Sequence, residues 1–231
     1  MSQKITLNNL WQETSEEAIF FEGLKEDITT DLVIVGGGYT GCSAALTSAK
    51  NGLSTTLIDH KVGYGGSGRN VGLVNAGLWM PPKKVEGLIG LDAGSKLNTA
   101  LASAPDLVFD IIKQYGIKCQ SNRMGTLHCA HSQKGLNNLQ IRFQQLSERG
   151  AELELLNKQQ TQQRIGSSKF FGSLYNKHAG TINPLAYCQG LARAAQSIGA
   201  NIYESTLATS IQSNNNGWIV KTPEGSIRAK M

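Results

Sequence analysis

The chain has 231 residues, 40% hydrophobic and 17% charged, with 22 Lys+Arg against 17 Asp+Glu for a net charge of +5. This balance excludes a disordered chain and allows a sizeable buried core. The basic residues are scattered rather than interleaved with aromatics, against a nucleic-acid surface, and no apolar run approaches the length of a bilayer span.

In chain order, residues 1–30 read as an arm with one helical turn near Glu16. Glu13, Glu16, Glu17 and Glu22 replace the basic-then-apolar pattern of a targeting peptide. Residues 31–59 then read as a complete dinucleotide-binding βαβ unit. Leu32-Val33-Ile34-Val35 suits a buried parallel strand and runs into the G-x-G-x-x-G turn Gly36-Gly37-Gly38-Tyr39-Thr40-Gly41. Residues 42–51 read as a helix, with Ala44, Ala45 and Ala49 letting it lie close to a sheet and Gly52 at its C-cap. Ser54-Thr55-Thr56-Leu57-Ile58 is a second strand, ending on Asp59. Gly36 permits the tight turn, Gly38 the approach of a pyrophosphate, and Gly41 close helix–strand packing. The helix N-terminus offers N–H donors and partial positive charge to the phosphates. Asp59 can accept from both hydroxyls of an adenosine ribose. A lone glycine motif is weak evidence, but a strand before it, a helix after it and an acid about 20 residues on make it specific.

The segment Gly63-Tyr64-Gly65-Gly66-Ser67-Gly68-Arg69-Asn70-Val71-Gly72 follows directly. An ordinary nicotinamide-binding unit continues with a helix at this point. A glycine-rich loop can instead wrap a second side of a diphosphate and reach further along a long cofactor, with Arg69 as a bidentate phosphate donor and Ser67 and Asn70 as neutral donors. The alternative is a flexible surface loop. The stretch lacks the last glycine of a serine-hydrolase elbow, and no G-x-x-x-x-G-K-[ST] occurs.

Further along, residues 78–90 read as a loop marked by Pro81-Pro82, and residues 95–103 and 105–115 as helices. Leu107, Val108, Ile111 and Ile112 give the second of these an apolar face. Residues 117–120 and 126–130 read as paired strands, residues 132–149 as a helix closed by Gly150, and 152–155 and 172–175 as strands. Residues 159–163 are a small glutamine-rich stretch. Asn183 caps a helix with Pro184 at its first position, and Gly199 ends it. Residues 201–204 form a short strand, and 207–212, 218–222 and 226–230 a meander turning at Asn214-Asn215-Asn216-Gly217 and Pro223-Glu224-Gly225. His128-Cys129-Ala130-His131 imitates a metal site, but alternation along a strand turns His128 away from Cys129 and His131, so no metal is assigned. Trp79 and Met80 could line a cofactor pocket or pack in a core. Cys42, Cys119, Cys129 and Cys188 show no paired spacing, in keeping with a reducing cytoplasm.

These residues resemble the flavin-dependent amine and amino-acid oxidoreductases of the D-amino-acid oxidase type. The arm with Asn9-Leu10-Trp11, the strand and Gly-Gly-Gly-Tyr-Thr-Gly turn, the Ser67-Gly68-Arg69-Asn70 loop and the later Ala179-Gly180-Thr181-Ile182-Asn183-Pro184 with Gly190-Leu191-Ala192-Arg193-Ala194-Ala195 occur in that order. Val71 departs from the glycine of many members. The resemblance implies an α/β fold: a glutathione-reductase-like, Rossmann-type FAD/NAD(P)-binding fold with a β-meander, plus part of an α+β substrate domain. Its expected division is an arm at 1–30, an FAD-binding domain at 31–80 and 180–231, and part of a substrate or cap domain at 81–179.

The implied cofactor is FAD, and the implied substrate a small amine or amino acid oxidised at its C–N bond to an imine. The candidate cofactor-binding residues are Gly36, Gly38, Tyr39, Thr40, Gly41, Asp59, His60, Gly66, Ser67, Arg69, Asn70 and Ala208. Tyr39 and Thr40 are expected to touch the cofactor only through backbone or edge contacts, and no catalytic residue is named. The nucleotide sheet is expected to hold only the strands at 32–35, 55–58 and 201–204. The meander has no return strand and an unpaired last strand, which reads as the N-terminal part of a longer protein, completed by a C-terminal half or a second copy. The alternatives are a nicotinamide-dependent oxidoreductase, for which Asp59 is equally suited, and a non-catalytic nucleotide-binding remnant.

Overall fold

The computed structural model describes residues 9–17 and 19–231. In chain order its elements are α1 (Leu10–Thr14), β1 (Ile28–Thr30), β2 (Leu32–Val35), α2 (Tyr39–Lys50), β3 (Thr55–Ile58), β4 (Leu73–Val74), α3 (Pro82–Ile89), α4 (Leu91–Ala102), α5 (Ala104–Tyr115), β5 (Thr126–Ala130), α6 (Gln133–Ser147), β6 (Leu153–Asn157), α7 (Lys158–Ile165), β7 (Gly172–Asn176), β8 (Gly180–Thr181), α8 (Pro184–Ser197), β9 (Asn201–Tyr203), β10 (Ser210–Asn214), β11 (Gly217–Lys221) and β12 (Ser226–Ala229). A single turn of 3-10 helix at Gly66–Gly68 lies between β3 and β4. The chain divides into two units. The first runs to Val71 and adds Ile112–Cys119 and Asn183–Met231; the second comprises Gly72–Ile111 and Gln120–Ile182.

The first unit is built on the parallel sheet β2-β3-β9, with Val33 opposite Thr56 and Leu57 opposite Ile202. Parallel neighbours need a crossover connection, and α2 supplies it between β2 and β3. All four residues of β3 are buried, as a central strand covered on both faces requires. Leu57, Ile58 and Leu191 are fully buried, each contributing about 1.5–3 kcal/mol of transfer free energy. In α8, Asn183 accepts from the Ala186 N–H at 3.0 Å and Pro184 takes the first turn, where its missing N–H costs nothing. A Cβ on Gly190 would collide with the Ile117 side chain, so glycine lets α8 lie against that segment.

The meander β10-β11-β12 is antiparallel, and β12 also pairs in parallel with β1, Ile28 lying opposite Ile227. The expected unpaired last strand is therefore corrected: β12 is flanked on both sides. No periodicity or turn signal marks β1, a three-residue strand in the segment read as an arm. Met231 donates to the Asp31 carbonyl at 3.0 Å and accepts from the Val33 N–H at 2.9 Å, placing it along the outer edge of β2.

The second unit holds the antiparallel sheet β5-β7-β6, with α6 packed on it through Leu136, Leu139 and Phe143 against Ala130, Leu153, Leu155 and Leu174. The small ladder β4-β8 pairs Leu73 with Thr181. Several expectations change in this region. Residues 117–120 do not pair with β5, whose partner is β7. Gln120 has φ 49°, a left-handed conformation that breaks an extended run. The segment at 78–90 contains α3, because the proline pair fixes an extended Pro81 and leaves Pro82 at the first helical position. The glutamine-rich stretch is α7, started by a reciprocal capping box between Asn157 and Gln160. The same device, Asn9 with Gln12, starts α1 a turn before Glu16. On α5 the buried residues are Pro105, Phe109 and Ile112, while Leu107 is exposed.

Candidate functional site

The site begins where β2 ends. The Gly36 N–H donates to the Ile58 carbonyl at 2.9 Å, the last rung between β2 and β3. Gly36 then turns the chain with φ 112°, which side-chain-bearing residues rarely adopt. A Cβ on Gly41 would collide with the Gly36 carbonyl oxygen, so the first turn of α2 can pack on the strand end only as glycine. A Cβ on Gly37 would meet Val62 at 3.0 Å and Asp59 Oδ2 at 3.2 Å, and one on Gly38 would meet Ser67 Oγ at 2.9 Å. The turn is thus held open by absent side chains, at the N-terminus of a twelve-residue helix.

Two elements close on this turn. Asp59, at the end of β3, accepts from the Gly37 N–H at 2.5 Å through Oδ2 and from the His60 N–H at 2.5 Å through Oδ1, so its carboxylate is locked against the turn. From the other side, Ser67 accepts the Tyr39 N–H at 3.0 Å. The Gly63 N–H donates to the Gly37 carbonyl at 2.9 Å, tying the root of the 63–72 loop to the same glycine.

The loop itself is ordered by side chains. Asn70 Nδ2 donates to the Ser67 carbonyl at 2.8 Å, to that of Gly66 at 3.3 Å and to the Tyr39 hydroxyl at 3.3 Å. The Tyr39 hydroxyl donates to the Pro184 carbonyl at 3.1 Å, and its ring meets Tyr187 edge-on with centroids 5.5 Å apart. Burial pushes the Tyr39 phenol up to about 12, against the opposing Asn70 hydrogen bond, so it stays protonated and can donate. The Trp11 indole N–H donates to the Asn70 carbonyl at 2.9 Å, and Asn183 reaches the Trp11 carbonyl at 3.2 Å. These contacts give the Asn9-Leu10-Trp11 arm a physical task. Arg69 stacks over the Tyr64 ring at 4.2 Å and borders a cavity of about 220 Å³ with Lys61, Gln12 and Gln189.

Gly36, Gly38, Tyr39, Thr40, Gly41, Asp59, Gly66, Ser67, Arg69 and Asn70 thus belong to the turn, to its helix or to the loop that closes on it. His60 is exposed; its carbonyl accepts from the Ser205 N–H at 2.9 Å. Ala208 packs against the core of Leu24, Ile58, Val220 and Ile227. Two acids were not foreseen. Glu204, just beyond β9, accepts from the Val62 N–H at 2.8 Å, and burial raises its carboxyl above the usual range. Its signal was its position, an acid ending the third strand as Asp59 ends the second. Glu17 is buried, with Arg193 at 2.9 Å and the Lys118 N–H at 2.6 Å. Burial raises its carboxyl, but these partners outweigh burial and hold it below the usual range. No periodicity marks such a pairing.

A parallel sheet with a glycine turn entering a helix, an acid ending the next strand and a loop closing over both define a Rossmann-type dinucleotide-binding protein. The family model described as "DAO: FAD dependent oxidoreductase" matches residues 31–230, and the chain belongs to that family. It is 32% identical over 212 residues to the gamma-glutamylputrescine oxidoreductase of Escherichia coli (strain K12), covering 91% of this chain and 49% of that protein. Among solved structures it is similar to glycine oxidase from Geobacillus kaustophilus, with a TM-score of 0.73 and 22% identity over 87% of this chain and 54% of the other. It is likewise similar to the L-amino acid deaminase from Proteus myxofaciens, with a TM-score of 0.75 and 19% identity over 94% and 47%. The chain spans about half the length of the curated relatives it matches. Among the described residues, no helix is long and apolar enough to cross a membrane.

Proposed function

We propose that the first unit binds FAD and belongs to an enzyme that oxidises the C–N bond of a small amine or amino acid. The observation that carries this reading is the convergence of Asp59 and Ser67 on one glycine turn, at 2.5 Å from the Gly37 nitrogen and 3.0 Å from the Tyr39 nitrogen. The fit to a dinucleotide lies in the missing side chains: a Cβ on Gly38 would enter the gap between turn and loop. The pyrophosphate would lie against Gly36, Gly38 and Gly41, with the Thr40 backbone N–H as its donor, since the Tyr39 N–H already donates to Ser67 Oγ. Asp59 would hold the adenosine ribose, since a carboxylate has about four acceptor positions and its backbone donors leave some unused. Gly66, Ser67, Arg69 and Asn70 would wrap the second side. His60 and Ala208 would contribute backbone contact, because one side chain points to solvent and the other into the core.

When bound, FAD supplies the two-electron oxidation. The chain's own residues bind it, orient it and exclude water from its phosphates. The second unit is proposed as part of the substrate domain, and the reducing cytoplasm as the setting, in keeping with four free cysteines. A C-terminal half or a second copy of the chain would complete the substrate site. The test is dye reduction or hydrogen peroxide release by FAD-loaded protein with a panel of amines, N-methyl amino acids and D-amino acids. Co-expression with the C-terminal half of a relative provides the complete enzyme. Turnover confined to compounds with an oxidisable C–N bond supports the reading, and turnover of 2-hydroxy acids alone overturns it.

A further inference from the structure

The second unit carries an open cavity of about 260 Å³ between residues 73–79 and the β5-β7-β6 sheet, bordered by Asn75, Trp79, Thr126, His128, Arg142 and Asn176. Arg142, on α6, is only 9% exposed. Its Nη1 lies 2.8 Å from His128 Nδ1, and its Nη2 only 3.5 Å from the Leu78 carbonyl. Its Nε is buried with no hydrogen-bond partner among the described residues. Among the described residues, no carboxylate forms an ion pair with it. Arg193 in the first unit, by contrast, has Glu17 at 2.9 Å.

The partners of Arg142 sharpen the point. A guanidinium only donates, so His128 Nδ1 must offer a lone pair, which makes His128 a neutral imidazole with its proton on Nε2. Burial and the Arg142 charge both lower the His128 pKa, in agreement. Trp79 stands edge-on to His128 at 4.7 Å, and the guanidinium lies 5.6 Å from the Trp79 ring centroid. Every neighbour is therefore neutral. A buried cation surrounded by neutral groups is costly unless an anion completes it. A carboxylate matches the charge and planar geometry of a guanidinium and would accept from Nη2, whose Leu78 contact is long at 3.5 Å.

We infer that this cavity binds a small-molecule carboxylate of a few carbons, anchored on Arg142, with Trp79 and His128 as one wall and Asn75, Thr126 and Asn176 available to polar groups on the remainder of the ligand. The volume limits the ligand to a small acid. The inference does not depend on flavin binding, and its test needs no activity.

The full chain is titrated with acetate, glutarate and glutamate, and with acetamide and glutaramide as neutral controls. Heat is followed by calorimetry, and the arginine Nε–H signals by NMR, that of Arg142 identified by its loss in Arg142→Lys. The expected result is saturable binding of at least one acid, a shift of the Arg142 Nε–H signal, no binding of the amides, and affinity lower by about tenfold or more in Arg142→Gln. The NMR shift in the unsubstituted protein keeps the test decisive if a variant fails to fold. An unmoved Arg142 signal with all three acids, or equal binding of acids and amides, overturns the inference. Binding only of a glutamate-containing peptide also overturns it, assigning the site to a protein side chain.

Discussion

Replacing Gly38 with alanine separates the two tasks of this glycine, its fit within the protein and its approach to a ligand. Gly38 has φ −84° and ψ −175°, an extended conformation open to any residue, so backbone strain is not at issue. The new Cβ would stand 2.9 Å from Ser67 Oγ and 3.8 Å from Ser67 Cβ, so only the hydroxyl is in the way. Turning that hydroxyl aside sacrifices its 3.0 Å bond from the Tyr39 N–H, about 1 kcal/mol net. Alanine lowers unfolded-chain entropy by an equivalent of about 0.4–1 kcal/mol in its favour, while glycine is the better helix N-cap. Gly38→Ala should therefore destabilise by roughly 1 kcal/mol or less. The double variant Gly38→Ala/Ser67→Ala, which removes the obstructing oxygen in advance, should show no further loss from the alanine at position 38. Nucleotide binding should behave differently. The methyl group would occupy the approach of a pyrophosphate in both backgrounds, and ADP affinity measured by calorimetry should fall by about tenfold or more in each. Urea midpoints and ADP titrations on the four proteins complete the cycle. Unchanged ADP affinity in the folded double variant would refute the role given to this turn.

Asp59→Ala should weaken ADP binding by about 1–3 kcal/mol through lost charge-assisted hydrogen bonds, and unchanged calorimetric affinity would remove Asp59 from the ribose. If the Ser67–Asn70 loop wraps the cofactor, FAD should slow tryptic cleavage after Arg69; equal rates with and without FAD would return the loop to a mere connection. Glu17→Gln should cost about 2–3 kcal/mol, less than a fully buried pair because the Arg193 side chain is 37% exposed and can rehydrate. The Glu17 carboxyl is lowered on folding, so its contribution is fully present above the ordinary glutamate value of about 4.3 and is lost as pH falls through the folded value. Urea midpoints of the parent and Glu17→Gln should converge in acid, and a constant gap from neutral pH to about pH 3 would contradict the assignment.

The nucleotide unit was legible because its constraints are local. A β-branched run, the Gly36–Gly41 turn and Asp59 each satisfy a requirement of backbone geometry that few other sequences meet. The Asn183-Pro184 cap was legible for the same reason, as a one-turn device. Long-range pairings left no such trace. The parallel match of β1 with β12 joins residues 28–30 to residues 227–229 through main-chain bonds that carry no side-chain code. The same holds for β7, which enters between β5 and β6 although it follows both in the chain. Short helices were lost when composition outweighed capping: Pro81-Pro82 read as a break and Gln159–Gln163 as low complexity, whereas Pro82 and the Asn157/Gln160 box are start signals. In the site, the glycines and Asp59 stood out by spacing. Glu204, the Trp11–Asn70 link and the Tyr39 hydroxyl network depend on contacts between segments far apart in sequence.

The most direct test of the central claim is a titration of the purified, flavin-free chain with FAD, followed by quenching of flavin fluorescence and competed in turn with ADP and with NAD. Saturable binding that ADP displaces, that NAD displaces poorly and that is lost in Gly38→Ala/Ser67→Ala is the predicted result. Absence of saturable FAD binding by a chain shown to be folded, or tighter binding of NAD than of FAD at the same turn, would contradict it.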